Sequence, residues 1–319
     1  MQPELFSRCD VKNGDNVKNL ESRLIALLAS EICREHNKAH DVYNVSWAFF
    51  ALKNVGRCNE QFRGKLHQEL SLLLERISSE DLRGYLYDYR RAVGVALSLW
   101  LIGVENLGLS EGNLKEICEV LTSYSEESEI GELVGATFLL IRHLKNKVLE
   151  ERIGKVMHKI KELAQRDPAY RLIDLLYAAF FSAIAGDEQF CLEVIELIRR
   201  NDSMLAYVKD DPEKLALFLY VASKAVDSGK CLNLEWFREQ RDAIAQDLMI
   251  FLNNLLPLSH CPSPAGALLS AIGESKARSA RGDGAVIGLP DADLIFPHPD
   301  FISKATMALY EAGRLLTSR

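Results

Sequence analysis

The sequence predicts an all-α protein built from repeated helical hairpins, and three observations predict it. From Tyr43 to Met249, apolar segments alternate with charged, amphipathic ones. Equivalent apolar positions, among them Ala92, Leu133, Leu172 and Leu215, recur at roughly 40-residue intervals, the period of helical-hairpin arrays. No stretch shows the two-residue alternation of a half-buried strand.

Taken in order, residues 1–15 carry Asp10, Asn13, Gly14 and Asp15 and read as a disordered lead-in. Residues 16–319 then read as one α/α repeat domain. From Asn16 to His36, Leu20, Leu24, Leu28 and Ile32 fall at helical spacing, with charged residues between them. The five hairpins follow. Their first helices are Trp47–Val55, Ala92–Val104, Leu133–Leu144, Leu172–Ala185 and Leu215–Val226. These are apolar nearly all round, as helices covered on several sides must be. Their partners are Glu60–Ile77, Glu111–Leu121, Leu149–Ala164, Glu188–Arg200 and Leu234–Leu255. Each partner has one apolar stripe, which places it outside with its charged face in water.

The punctuation agrees with the hydrophobicity. Gly56, Gly108, Gly186 and Gly229 follow apolar helices one, two, four and five, where a left-handed residue closes the last turn. Asn146 takes that place after helix three. Asp167-Pro168 and Asp211-Pro212 open helices four and five, pairing a capping carboxylate with a proline that loses no bond. After Met249 the rhythm fails, and a Pro/Gly-rich loop at about 257–299 precedes a last helix, Phe301–Leu316, amphipathic through Ile302, Ala305, Leu309 and Ala312. With the last helix as a sixth inner member and Asn16–His36 as its partner, the inventory fits an (α/α)6 toroid. An open α-solenoid is the alternative, and it needs polar capping helices at both ends.

Composition narrows the function classes. A net charge of -7 disfavours nucleic acid, which needs a basic stripe. The basic residues Arg152, Lys155 and Lys159 alternate with Glu150, Glu151 and Glu162 and read as a solvated face. The longest apolar run, Ala92 to Val104, is shorter than the ~20 residues of a membrane span. Seven scattered cysteines without a Cys-x-x-Cys suit reduced thiols in a cytoplasmic protein. Nothing in the sequence calls for a cofactor: there is no phosphate-binding glycine loop and no nucleophile elbow. For a metal, Cys33, His36 and His40 are the candidates, since i, i+3 and i+7 share a helix face. No fourth ligand stands near them in sequence, His260-Cys261 being the one distant source, so no metal site is assigned.

The segment Val42-Tyr43-Asn44-Val45-Ser46-Trp47-Ala48-Phe49-Phe50-Ala51-Leu52-Lys53-Asn54-Val55-Gly56 resembles an inner helix of the prenyltransferase and terpenoid-cyclase type of toroid. The resemblance implies a central funnel. It is confined to the fold: the Gln-Trp repeats and the Asp-x-Asp-Asp motif of those cyclases are missing, and Asp291-Ala-Asp293-Leu is a partial echo. No catalytic residue carries over.

In a ring of this kind, the loops entering the inner helices surround one mouth. Candidate ligand-binding residues there are Tyr85, Tyr87, Tyr89, Arg90 and Arg91, then Tyr170 and Arg171, and His298. Asp41, Asp88 and Asp174 are the acid–base candidates. The competing reading is helix capping, because acids favour helix starts, and Asp88 with Arg91 is also spaced for a local ion pair. The function expected is a helical-repeat binding or scaffold protein whose concave surface takes a small molecule or a protein partner. The alternative is a toroid enzyme of hydrolase, lyase or cyclase type using the mouth carboxylates.

Overall fold

The computed structural model of the chain describes residues 20, 23–29, 41–57, 64, 67–68, 82–103, 110–227, 234–255 and 299–313. Among them twelve helices can be bounded, residues 20, 23–29, 64 and 67–68 are helical as well, and there is no strand. These are α1 (Asp41–Asn54), α2 (Leu82–Leu86), α3 (Tyr89–Ile102), α4 (Glu111–Ser128), α5 (Gly131–His143) and α6 (Lys147–Arg166). They continue as α7 (Pro168–Ile184), α8 (Glu188–Arg199), α9 (Asp202–Lys209), α10 (Pro212–Asp227), α11 (Leu234–Leu255) and α12 (Pro299–Glu311). The expected lead-in at 1–15 lies outside the described residues, as do most of Asn16–His36, most of the helix Glu60–Ile77 and all but the last residue of the loop at 257–299.

Six apolar helices pack in sequence: α1 on α3, α3 on α5, α5 on α7, α7 on α10 and α10 on α12. The last, α12, also packs on the first, α1. The amphipathic helices lie against them, α4 and α6 on α5, α8 on α7 and α10, and α11 on α10. The pattern explains the layering. In α5 every residue from Gly131 to Ile141 is buried, whereas α6 buries only Leu149, Ile153, Val156, Met157, Ile160 and Ala164, one stripe at three- and four-residue spacing. Three basic residues of α6 form ion pairs: Arg152 with Glu119 and Glu126 of α4, Lys159 with Glu129, and Lys161 with Glu193 of α8.

Glycine lets the apolar helices approach closely. A Cβ at Gly94 would lie 3.0 Å from the Tyr43 backbone nitrogen, and one at Gly131 only 2.0 Å from the Asp174 carbonyl oxygen. Beside these contacts sits an aromatic cluster in which Trp47 meets Phe50, Phe180 and Phe181 with centroids 5.5–6.0 Å apart.

Several boundaries differ from the sequence reading. Helix α3 ends at Gly103 (φ 78°), ahead of Gly108. After α5 the left-handed residue is Lys145 (φ 56°), and Asn146 instead caps α6 by accepting from the Leu149 amide. Asp167 makes no side-chain cap bond, while Asp211 accepts from the Glu213 and Lys214 amides. Two short helices, α2 and α9, were not expected. The largest difference is α12, where every residue from Ile302 to Leu309 is buried, Ser303, Lys304 and Thr306 included. It is not amphipathic in place, because α1 and α10 cover it from two sides.

Cys118 and Cys191 are free and buried. Burial pushes their thiols up to about 11 and about 12 respectively. A thiol reagent at about pH 8 is therefore expected to label neither in the folded chain, because the reactive species is the thiolate. Mass spectrometry of labelled peptides with and without denaturant checks this.

Candidate functional site

The polar residues of the apolar helices concentrate at one end. Tyr43 lies in the first turn of α1, Tyr89 and Arg90 begin α3, and Glu132, Glu213 and Asp300 are the second residues of α5, α10 and α12. Helix α7 adds Asp174 and Tyr177 from further along its length. These side chains line a cavity of about 600 Å³, walled on the apolar side by Ile130, Ile173, Phe251 and Phe301. The volume is in the range of small-molecule sites.

At its floor lies a buried polar network. Lys304 has no solvent exposure. Its Nζ donates to Glu213 Oε1 at 2.6 Å, to Asp300 Oδ2 at 3.0 Å and to the Tyr177 hydroxyl. Tyr177 also bonds Glu213. On the other side of Asp300, the Tyr43 hydroxyl reaches Glu132 Oε1 at 2.6 Å and Asp300 Oδ2 at 3.2 Å. The Trp47 indole N–H donates to the same Glu132 oxygen at 2.9 Å. One network thus joins α1, α5, α7, α10 and α12.

Its electrostatics follow from burial and charge count. Burial opposes the charge of Lys304, but Asp300, Glu132 and Glu213 outweigh it and hold the ammonium well above the usual lysine range. Burial raises the Glu132 carboxyl, and Lys304 restrains that rise. The phenols of Tyr43 and Tyr177 are both raised, chiefly by burial and then by neighbouring carboxylates. Lys304 therefore stays a cation, and both phenols stay protonated donors.

Of the residues singled out from sequence, Tyr89, Arg90 and Asp174 line the cavity. Arg90 Nε donates to the Tyr89 hydroxyl at 3.1 Å, and its guanidinium lies 5.8 Å from the Tyr43 and Tyr89 ring centres. Asp174 accepts from the Gly131 amide at 2.8 Å and from Arg171 at 3.3 Å. Tyr85, Tyr87, Arg91 and Tyr170 do not line it. Arg91 lies over the Tyr85 ring. Tyr87 stacks on Tyr124 and donates to Glu127, and Tyr170 is 80% exposed. Asp41 opens α1. Cys33, His36, His40 and His298 lie outside the described residues, among which no group of metal-binding side chains occurs.

Asp88 is a helix cap. It accepts from the Arg90 and Arg91 amides at 3.0 and 3.2 Å rather than pairing with the Arg91 side chain. Asp88→Ala is expected to cost about 1 kcal/mol and Asp88→Asn almost nothing, because asparagine caps equally well. Denaturant titration of both variants checks this.

Sequence reasoning located the mouth but did not single out Tyr43, Glu132, Glu213 or Asp300 there, and it missed Tyr177 and Lys304. One signal was legible: Lys304 interrupts an otherwise apolar and small stretch four residues after Asp300, the spacing of a helical ion pair.

Compared with protein-family models, with curated proteins and with solved structures, the chain matches none. No described helix is long and apolar enough to cross a membrane.

Proposed function

We propose that the chain forms an (α/α)6 toroid that binds a small polar molecule in the cavity at the N-terminal mouth of its six apolar helices. The observation that carries this reading is the cavity of about 600 Å³ lined by polar groups from all six. The toroid is supported by the cycle of contacts, in which α12 packs on both α10 and α1. An open array has no reason to bring its first and last apolar helices together. The expected partner is a small molecule rather than a nucleic acid or a membrane, and buried free thiols suit a reducing, cytoplasmic setting.

A thermal-shift screen tests the binding reading. A ligand at about one hundred times its Kd stabilises the folded chain by about 2.7 kcal/mol. Hits are expected to shift the parent protein and to shift Arg90→Ala by a different amount, because Arg90 supplies the lining's cation. Hits that shift both proteins equally place the ligand elsewhere and overturn the reading.

A second reading, an enzyme of hydrolase, lyase or cyclase type, is favoured by one observation. Glu132 is a buried acid with a raised pKa, and the Tyr43 hydroxyl bridges it to Asp300, which accepts from Lys304. Two carboxyl groups in unlike environments are the means by which one site supplies both acid and base. On this reading Glu132 and Asp300 take precedence over Asp88, which is occupied as a cap. Turnover of a bound ligand that survives in Glu132→Gln would remove Glu132 from that role.

A further inference from the structure

The cavity's polar groups come from six helices packed in a cycle, and its carboxylates are already answered within the chain. Asp174 pairs with Arg171 at 3.3 Å, Asp211 with Lys214 at 3.5 Å and Glu213 with Lys304 at 2.6 Å. Asp300 accepts from Lys304 and Tyr43, and burial pushes Glu132 toward its uncharged form. A paired carboxylate still keeps spare lone pairs, since it offers about four acceptor sites. Beside these acceptors stands a donor, Arg90. Its Nε bond to the Tyr89 hydroxyl fixes the guanidinium, while its two terminal nitrogens make no bond among the described residues. Phe251 and Phe301, edge to face at 5.9 Å, and the Tyr43 and Tyr89 rings give the same space aromatic walls.

We infer that the cavity takes an uncharged sugar, its hydroxyls on the carboxylates and Arg90 and its C–H faces on the tyrosine and phenylalanine rings. The inference rests on the small-molecule reading above and specifies the ligand's chemical class. A hydroxyl donates to a carboxylate and accepts from a guanidinium, so one kind of group satisfies both halves of the lining. A sugar ring carries such groups around its edge, as the six helices carry theirs around the cavity. Its C–H bonds suit aromatic faces, which carry the negative side of the ring quadrupole. A simple cation meets Arg90, and a simple anion meets Asp174, Asp211 and Glu213 in the same space. The ammonium of an amino acid has to compete with Arg171, Lys214 or Lys304 for a carboxylate that already holds a cation.

Saturation-transfer NMR of the full chain tests the inference, with glucose, galactose, mannose, maltose, cellobiose and lactose as sugars and choline, citrate and phenylalanine as charged probes. Two variants accompany it. Asp174→Asn keeps an acceptor for the Gly131 amide and replaces the other carboxylate oxygen with a donor, and Arg90→Gln removes the guanidinium fork. At least one sugar is expected to bind with an affinity that added salt leaves unchanged. Each variant is expected to weaken it roughly tenfold, the loss of one hydrogen bond to a charged group. Binding of a charged probe with no sugar bound overturns the sugar inference and leaves the small-molecule reading standing. Sugar binding at parent strength in both variants, or sugar binding that falls steeply with salt, also overturns it. Silence from every probe at millimolar concentration overturns both.

Discussion

Lys304→Met is expected to be the most destabilising single substitution at the site, at about 3–5 kcal/mol and a fall in Tm of roughly 10 °C. Methionine fills much of the same volume, so the loss comes from charge rather than packing. The ammonium that satisfies Glu213, Asp300 and the Tyr177 hydroxyl disappears, and Glu132 loses the cation that restrains its pKa. A carboxylate left inside without a partner carries its full desolvation cost. The pH dependence has a definite sign. Glu132 has a folded pKa already raised above the unfolded value, so its contribution favours folding at low pH and weakens as pH rises through the folded value. Without Lys304 that pKa moves further up. The gap between variant and parent is therefore expected to be widest near neutrality and to narrow on acidification toward the carboxylate range. Adding Glu213→Gln to the variant should recover part of the loss, a coupling that a double-mutant cycle measures. A gap independent of pH would mean that the lost packing, not the stranded carboxylates, sets the cost.

Gly131→Ala is expected to destabilise by about 3 kcal/mol or more, at the upper end of overpacking effects. The added Cβ would lie 2.0 Å from the Asp174 carbonyl oxygen and 2.3 Å from the Asp174 Cα. These are backbone atoms, so α5 and α7 must separate, and no rotamer change relieves the clash. The same shift pulls Glu132 and Asp174 apart and should abolish ligand binding along with stability. Gly154→Ala is the control. It lies within α6 with nothing within 4 Å of the added carbon, so the substitution should stabilise by up to about 1 kcal/mol through helix propensity. Thermal or denaturant unfolding of the two variants side by side separates crowding from propensity.

The elements were legible because hydrophobic periodicity is a local property. Leu234–Leu255 has the same limits in sequence and structure, and α5, α6 and α8 agree to within two residues. The disagreements arise where local rules tie. Lys145, not asparagine, takes the left-handed turn after α5. Asn146 is better used one residue later, where its oxygen meets the Leu149 amide. At Asp88 two local readings competed, cap and ion pair, and backbone amides fixed in the first turn won over a flexible guanidinium.

The site was legible as a place but not as a set of residues. Collecting the helix entrances by position gathered Tyr89, Arg90 and Asp174, which line the cavity, together with Tyr87 and Tyr170, which face solvent. Sequence alone cannot say which side of a helix start faces its neighbours.

By itself the sequence determined an all-α chain, the alternation of fully apolar and one-striped helices, and the end of the apolar helices where polar groups gather. Those follow from burial patterns within single helices. Only the tertiary structure decided that Lys304 is a buried cation and not a surface one. That outcome depends on α1 and α10 covering both sides of α12 and on three carboxylates from three helices meeting one ammonium. A charge is stable inside only where distant parts of the chain bring its partners, and partners 91 residues apart, such as Glu213 and Lys304, leave no periodic trace.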